Sequence, residues 1–288
     1  MKNYDNSRQF VLNLRNVMDI NHISVSRKKC FDQCQQQYKY RYHLKMENPG
    51  PEQFHFVYGK TVHTIAELYV EGKGQKCIDQ ITQDILDRKI QIEDNKYCPD
   101  LEPDVLRKLK RHVKSIKKLT DRIGTDGYVE YEFKYDIDPP NNKIVTGFID
   151  RLIVKDDKAF ILDYKTTKKG KFRVNKSTVK DDLQLRVYAR VVQKDFGINP
   201  ENIKCALFYF EGEEIVAAQY NEQSLIEAEN ELKVAYDRIV KADENKVWGN
   251  VGWHCNNCDY KSICHFYKGK DAADTKWDGC MGINDHWS

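Results

Sequence analysis

No apolar run in this sequence is long enough to cross a bilayer, and no charged-then-apolar leader opens it. A membrane is therefore not expected as a partner, and the protein should be soluble and cytoplasmic. Internal repeats and low-complexity tracts are also missing, which excludes a repeat architecture. An excess of one charge is missing too. The 47 Lys and Arg against 44 Asp and Glu leave a net +3, too little to identify a nucleic-acid partner, so local clusters must carry that argument. A disulfide framework is not indicated: nine cysteines is an odd number, and 288 residues is not a small secreted scaffold. A thiolate metal site is the better use of them. The length suffices for one large domain or two small ones.

What is present is organised around residues 143–169, which read as two strands around a short turn. Ile144, Val145, Phe148, Ile149, Leu152, Ile153 and Val154 leave no polar face, as in a strand covered on both sides. Phe160, Ile161 and Leu162 say the same of the return strand. Asp156-Asp157 suits the turn, because Asp tolerates left-handed φ. If Lys155 faces Lys158, then Asp150 faces Asp163, with Cβ atoms about 5 Å apart. Two such like charges in an apolar sheet need neutralising, and a divalent cation held by carboxylates does this. Lys165, two residues past Asp163, points to the same side of the strand. An odd-length loop would destroy this register. The structural alternative is Asp150 as a strand-end residue paired to Arg151 or Lys165.

These residues carry a resemblance. Gly147-Phe148-Ile149-Asp150 with Asp163-Tyr164-Lys165-Thr166 resembles the G-x-x-D … D-x-K core of the PD-(D/E)XK nuclease superfamily. The likeness is closest to its RecB-like branch, which includes CRISPR-associated and many phage exonucleases. Further pieces follow in the family's order. Tyr58-Gly59-Lys60-Thr61-Val62-His63 opens a helix whose G-x-x-x-H resembles the first motif; His63 would complete the metal site, with Glu67 one turn on. Gln184 and Tyr188 match Q-x-x-x-Y on a helix over 181–192, where they would contact nucleic acid or the site lysine. Glu132, on a strand over 128–138, resembles the acidic residue often found there, with surface exposure an equal alternative.

Trp253 to Cys264 contains C-x2-C-x5-C, three thiolates that need a fourth. Four thiolates suit zinc or a 4Fe–4S cluster, and spacing does not choose. The resemblance does. RecB-like exonucleases carry this triplet and a lone cysteine near the N-terminus, here Cys34 after Ser24-Val25-Ser26, with Gln35 where the family has Pro. The implied cluster ligands are Cys34, Cys255, Cys258 and Cys264, with zinc as fallback and Cys30, His254, His265 and Cys280 as rivals. Basic segments supply the missing charge argument. Lys168, Lys169, Lys171 and Arg173 crowd a loop beside the proposed site and would grip DNA. Arg107, Lys108, Lys110, Arg111, Lys114, Lys117 and Lys118 cover a helix that is either solvated or a DNA-backbone surface.

The resemblance implies an α/β fold, a restriction-endonuclease-like mixed sheet flanked by helices, its ends clasped by an iron–sulfur cluster. We expect a single nuclease domain over 1–288. It divides into an N-terminal ligand segment (23–70), a helical basic part (71–127), a catalytic sheet core (128–220), a C-terminal helix with the cysteine triplet (221–268) and a tail (269–288). The implied activity is Mg²⁺- or Mn²⁺-dependent DNA exonuclease action in recombination, repair, degradation or CRISPR-type spacer processing, in a bacterial, archaeal or phage-infected cell. The metal ligands would be His63, Asp150, Asp163 and the Tyr164 carbonyl, and Asp150, Asp163 and Lys165 the catalytic set. The substrate would be DNA, single-stranded or with free ends, with a helicase, recombination or CRISPR partner. The alternatives are an adaptor subunit of such a complex or a structure-specific endonuclease.

Overall fold

A computed structural model of the protein describes residues 18, 20–49, 54–72, 74, 77–92, 96–168, 170, 173–243 and 245–267. In chain order its main elements are α1 (Val25–Gln33), α2 (Gln35–Tyr38), α3 (Phe54–Glu71), α4 (Ile78–Leu86), α5 (Pro103–Ile123), β1 (Tyr128–Asp138), β2 (Lys143–Lys155), β3 (Lys158–Lys165), α6 (Leu183–Phe196), β4 (Ile203–Tyr209), β5 (Glu214–Gln219) and α7 (Glu222–Lys241). Contacts divide the chain into two units, Phe54–Val234 and a second made of Met1–Gln53 with Ala235–Ser288. Among the described residues no helix is long and apolar enough to cross a membrane.

The Phe54–Val234 unit holds one five-stranded sheet in the order β1-β2-β3-β4-β5. All neighbours are antiparallel except β3 and β4, which run parallel. A parallel pair needs a crossover, and α6 supplies it. The side chain of Asp182 caps α6 by accepting from Leu185 N at 2.9 Å, and Gly197 ends it at φ 67°. The expected hairpin forms as read: Lys155 pairs with Lys158 and Arg151 with Leu162, and Asp156 takes the left-handed turn conformation at φ 54°.

Helices α3, α4 and α5 bury Val62, Ile65, Ile81, Leu109 and Ile116 against Leu162, Tyr164, Ala206 and Phe208 of β3 and β4. Fully burying each such aliphatic chain contributes about 1.5–3 kcal/mol. The helix α6 packs on β3 and β4, and the buried Cys205 thiol reaches Leu185 O at 3.7 Å. The sheet is thus covered by helices, which is why β3 reads as a continuous apolar run.

Two local features fix the hairpin that carries the motif. Gly147 is required because a Cβ there would lie 2.5 Å from the ring of Phe133 on β1. Arg151 is wholly buried and donates to the carbonyls of Tyr128 (3.1 Å), Gly124 (3.2 Å) and Asp126. Its guanidinium thus gathers the chain between α5 and β1, not the neighbouring Asp150.

In the second unit, Ser24 caps α1 by accepting from Arg27 N. Cys34 then interrupts the helix in an extended conformation (φ −163°, ψ 112°), and α2 restarts at Gln35. The helical stretch is therefore broken at the cysteine. Gln35 stands at the first helical position, where proline would fit without losing a hydrogen bond.

Candidate active site

The β2–β3 ladder runs as far as Arg151 and Leu162, and Asp150 and Asp163 come next in register, where the pairing stops. There a side chain replaces the ladder: Asp150 Oδ2 accepts the Tyr164 N–H at 2.6 Å. His63, on α3, meets this point from outside the sheet. Its Nδ1 lies 3.6 Å from Asp150 Oδ2 and its Nε2 3.2 Å from the Tyr164 carbonyl oxygen. His63, Asp150 and the Tyr164 carbonyl are therefore brought together.

Asp163, 1% exposed, sits beside Lys165. Its Oδ2 contacts Lys165 Nζ, and its Oδ1 accepts from Gln184 Nε2 at 2.9 Å. Gln184 Oε1 accepts from Lys165 Nζ at 3.2 Å, and Gln184 Nε2 also reaches Tyr188 Oη at 2.6 Å. The Q-x-x-x-Y residues of α6 thus grip the aspartate–lysine pair from the far side.

For Glu132 the surface alternative holds. Glu132 is exposed, whereas Glu130 lies across from Asp150 in the β1–β2 register, between the pairs Val129–Arg151 and Tyr131–Ile149. Ligand atoms of His63, Glu130 and Asp150 all fall within 4.8 Å of one another. Glu130 adopts φ +44°, a left-handed conformation that a non-glycine residue in a strand holds only at a cost. The missed signal was the β1–β2 register, which depends on the turn at 139–142.

Glu130, Asp150 and Asp163 therefore form a row across three adjacent strands. Burial, then the nearby Asp150, pushes the Glu130 carboxyl up to about 7, with His63 opposing. Burial likewise raises Asp163 to about 6; Lys165 pulls it down and Asp150 up. For Lys165, burial acts to lower the pKa, but Asp163 and Asp150 outweigh it and hold the ammonium charged. One ammonium does not balance the row. The carboxylates of Glu130 and Asp150 with the His63 imidazole form a hard donor set that fits Mg²⁺ or Mn²⁺, with the Tyr164 carbonyl beside it, while Asp163 is not within this group and is held by Lys165 and Gln184.

The basic loop is placed only in part. Lys168 is exposed, while Lys169 and Lys171 lie outside the described residues. Arg173 is tied inward: its guanidinium stacks on Tyr209 at 3.7 Å, bonds Glu214 at 2.9 Å and reaches the Glu211 carbonyl. It anchors the loop to β4 and β5.

In the other unit Cys34, Cys255, Cys258 and Cys264 line one cavity with Gln37, Tyr40 and His254. Burial pushes the Cys258 thiol up to about 11, and Cys34, Cys255 and Cys264 act on it in the same direction. Cys30 is buried nearby, pushed to about 12 by burial, with Cys34 and Cys258 among its neighbours. His254 Nε2 is buried without a partner. Cys280 lies outside the described residues.

A model of the PD-(D/E)XK nuclease superfamily matches residues 22–265. No curated protein sequence matches the chain. A solved structure described as "Crystal structure of SSO0001" aligns over 90% of this chain and 93% of its own, at 16% identity and a TM-score of 0.42.

Proposed function

The chain belongs to the PD-(D/E)XK nuclease superfamily, and on that premise we propose that it is a Mg²⁺- or Mn²⁺-dependent DNA exonuclease of the RecB-like branch. Members of the family are nucleases that use divalent metals on nucleic acids. The observation that carries the finer reading is the carboxylate row with its lysine. His63, Glu130, Asp150, Asp163 and the Tyr164 carbonyl would hold the metal. Bound there, a divalent cation would polarise the scissile phosphate and acidify an attacking water. Lys165 donates to a phosphate oxygen or to that water, offsetting charge as it develops. Asp163 and Gln184 fix the ammonium between two oxygens, so Gln184 acts as a positioning residue through the lysine. Tyr188 orients Gln184 from behind.

Exonuclease action is tested with end-labelled linear and circular single-stranded DNA in Mn²⁺. Linear substrate is expected to be degraded while circles survive. Cleavage of circles would replace the exonuclease by an endonuclease. Labelled DNA retained uncut would leave only the adaptor reading. End-labelling the 5′ or 3′ terminus in the same assay gives the polarity.

The four cysteines of the cavity would ligate a 4Fe–4S cluster. The four cysteines line one cavity, and the resemblance to RecB-like exonucleases favours iron over zinc. Purified under nitrogen, the protein is expected to be brown with about four irons per chain. Colourless protein carrying zinc would reverse the cluster assignment.

A further inference from the structure

Three of the eight lysines and arginines on α5 pair with an acid, and Lys110 and Arg122 are not among them. Lys117 pairs with Asp121 at 2.9 Å, Lys118 with Glu213 at 2.5 Å, and Arg107 with Asp104. Lys108, Arg111 and Lys114 form no ion pair among the described residues, and neither does Lys168 beyond the end of β3. Arg111, Lys114 and Lys168 are exposed; Lys108 is half-buried, its ammonium 4.9 Å from the centroid of the Tyr58 ring. Spaced at i, i+3 and i+6, the three α5 cations line one flank of the helix over about 9 Å of rise. Phosphates of a stacked strand rise about 3.4 Å each along its axis, so this flank can face two or three of them.

The cations from the two elements also crowd together. Lys108 is shifted down by burial first, then by Lys168 and Arg111, with Glu211 the opposing acid. Glu211 offsets part of the cost of holding these like charges together, and an incoming polyanion would offset more. The ridge stands on packing that leads to the catalytic row. Tyr58 Oη bonds His112 Nδ1 at 2.9 Å, His112 stacks on Phe210 at 5.1 Å, and Phe210 meets Tyr164 at 5.8 Å.

We propose that Lys108, Arg111 and Lys114, continued by Lys168, form a track that binds the phosphate backbone of a single DNA strand on its way to the carboxylate row. The nature of the polyanion rests on the nuclease reading. Charge with no base-reading groups makes the track indifferent to sequence.

The test is fluorescence anisotropy with an oligothymidylate of about 30 nucleotides, in EDTA so that no cleavage intervenes, over a range of salt. The variant Lys108→Gln, Arg111→Gln, Lys114→Gln is expected to lower the slope of log K against log salt by about 2. It should also weaken binding about 10²-fold near ~0.1 M salt. Because Lys108 packs on Tyr58, a second variant with only Arg111→Gln and Lys114→Gln leaves that contact intact and should still lose more than one unit of slope. Lys117→Gln, on the same helix but paired with Asp121, should bind like wild type. Unchanged slopes in both multiple variants would overturn the track. So would ridge-dependent binding to phosphatidylserine vesicles with none to the oligonucleotide. Failure of the nuclease reading looks different: the slopes fall as stated, but wild type with Mn²⁺ leaves the oligonucleotide whole.

Discussion

Asp163→Asn is expected to reduce Mn²⁺-dependent cleavage about 10³-fold or more while the protein remains folded. The carboxylate is 1% exposed, holds Lys165 and accepts from Gln184. On the proposed reading, losing its charge would remove a metal ligand and release the lysine, and a catalytic cation supplies several kcal/mol of charge stabilisation. Wild-type rates from a folded variant would remove Asp163 from the mechanism. A stability readout accompanies the kinetic one. Asp163 and Glu130 are raised in the folded state to about 6 and about 7, from ordinary values of 3.8 and 4.5. Between those limits the folded protein takes up protons that the unfolded chain does not. Metal-free wild type should therefore gain stability as the pH falls from about 7.5 to about 4.5, with no further gain from these groups once both states are protonated. Asp163→Asn keeps only the Glu130 share of that gain. A metal-free midpoint that falls steadily over this window would contradict the crowding of charge in the row.

Arg151→Leu is expected to cost about 3 kcal/mol or more of folding stability, a fall in the thermal midpoint of about 10 °C. The substitution leaves the carbonyls of Gly124, Asp126 and Tyr128 facing an apolar side chain. A buried polar group left without a partner costs about 1–3 kcal/mol. The arginine itself is expensive to bury, and its Nε has no partner, which keeps the net figure below the sum of three such losses. Arg151→Lys should recover part of the loss, because one ammonium cannot reproduce the guanidinium's fork. A midpoint within ~2 °C of wild type would show that these carbonyls find other donors. If Arg151 instead served as the counter-ion of Asp150, metal affinity would change before stability did.

Much of this site is written in the sequence because its key pair is local. Asp150 and Asp163 sit on strands joined by two residues, so turn length alone fixes their pairing, and a period-two strand offers no other phase once Asp156 takes the turn. Strand β1 was legible from a pattern equally local: it alternates with period two and buries one face. The cysteine triplet is equally local.

Groups meeting across long stretches of chain were decided by tertiary structure. Glu130 rather than Glu132 meets Asp150, because the β1–β2 register, set by a distant turn, decides which of two glutamates on the same strand lies opposite it. Arg173, indistinguishable from its basic neighbours in the chain, is withdrawn by Tyr209 and Glu214. Arg151 proved to be a backbone anchor. The unpaired flank of α5 emerged only once the acids of other turns and strands had taken Arg107, Lys117 and Lys118. Sequence determines which side chains alternate along an element. Which charge finds a partner depends on distances between elements, and a one-dimensional pattern does not contain them.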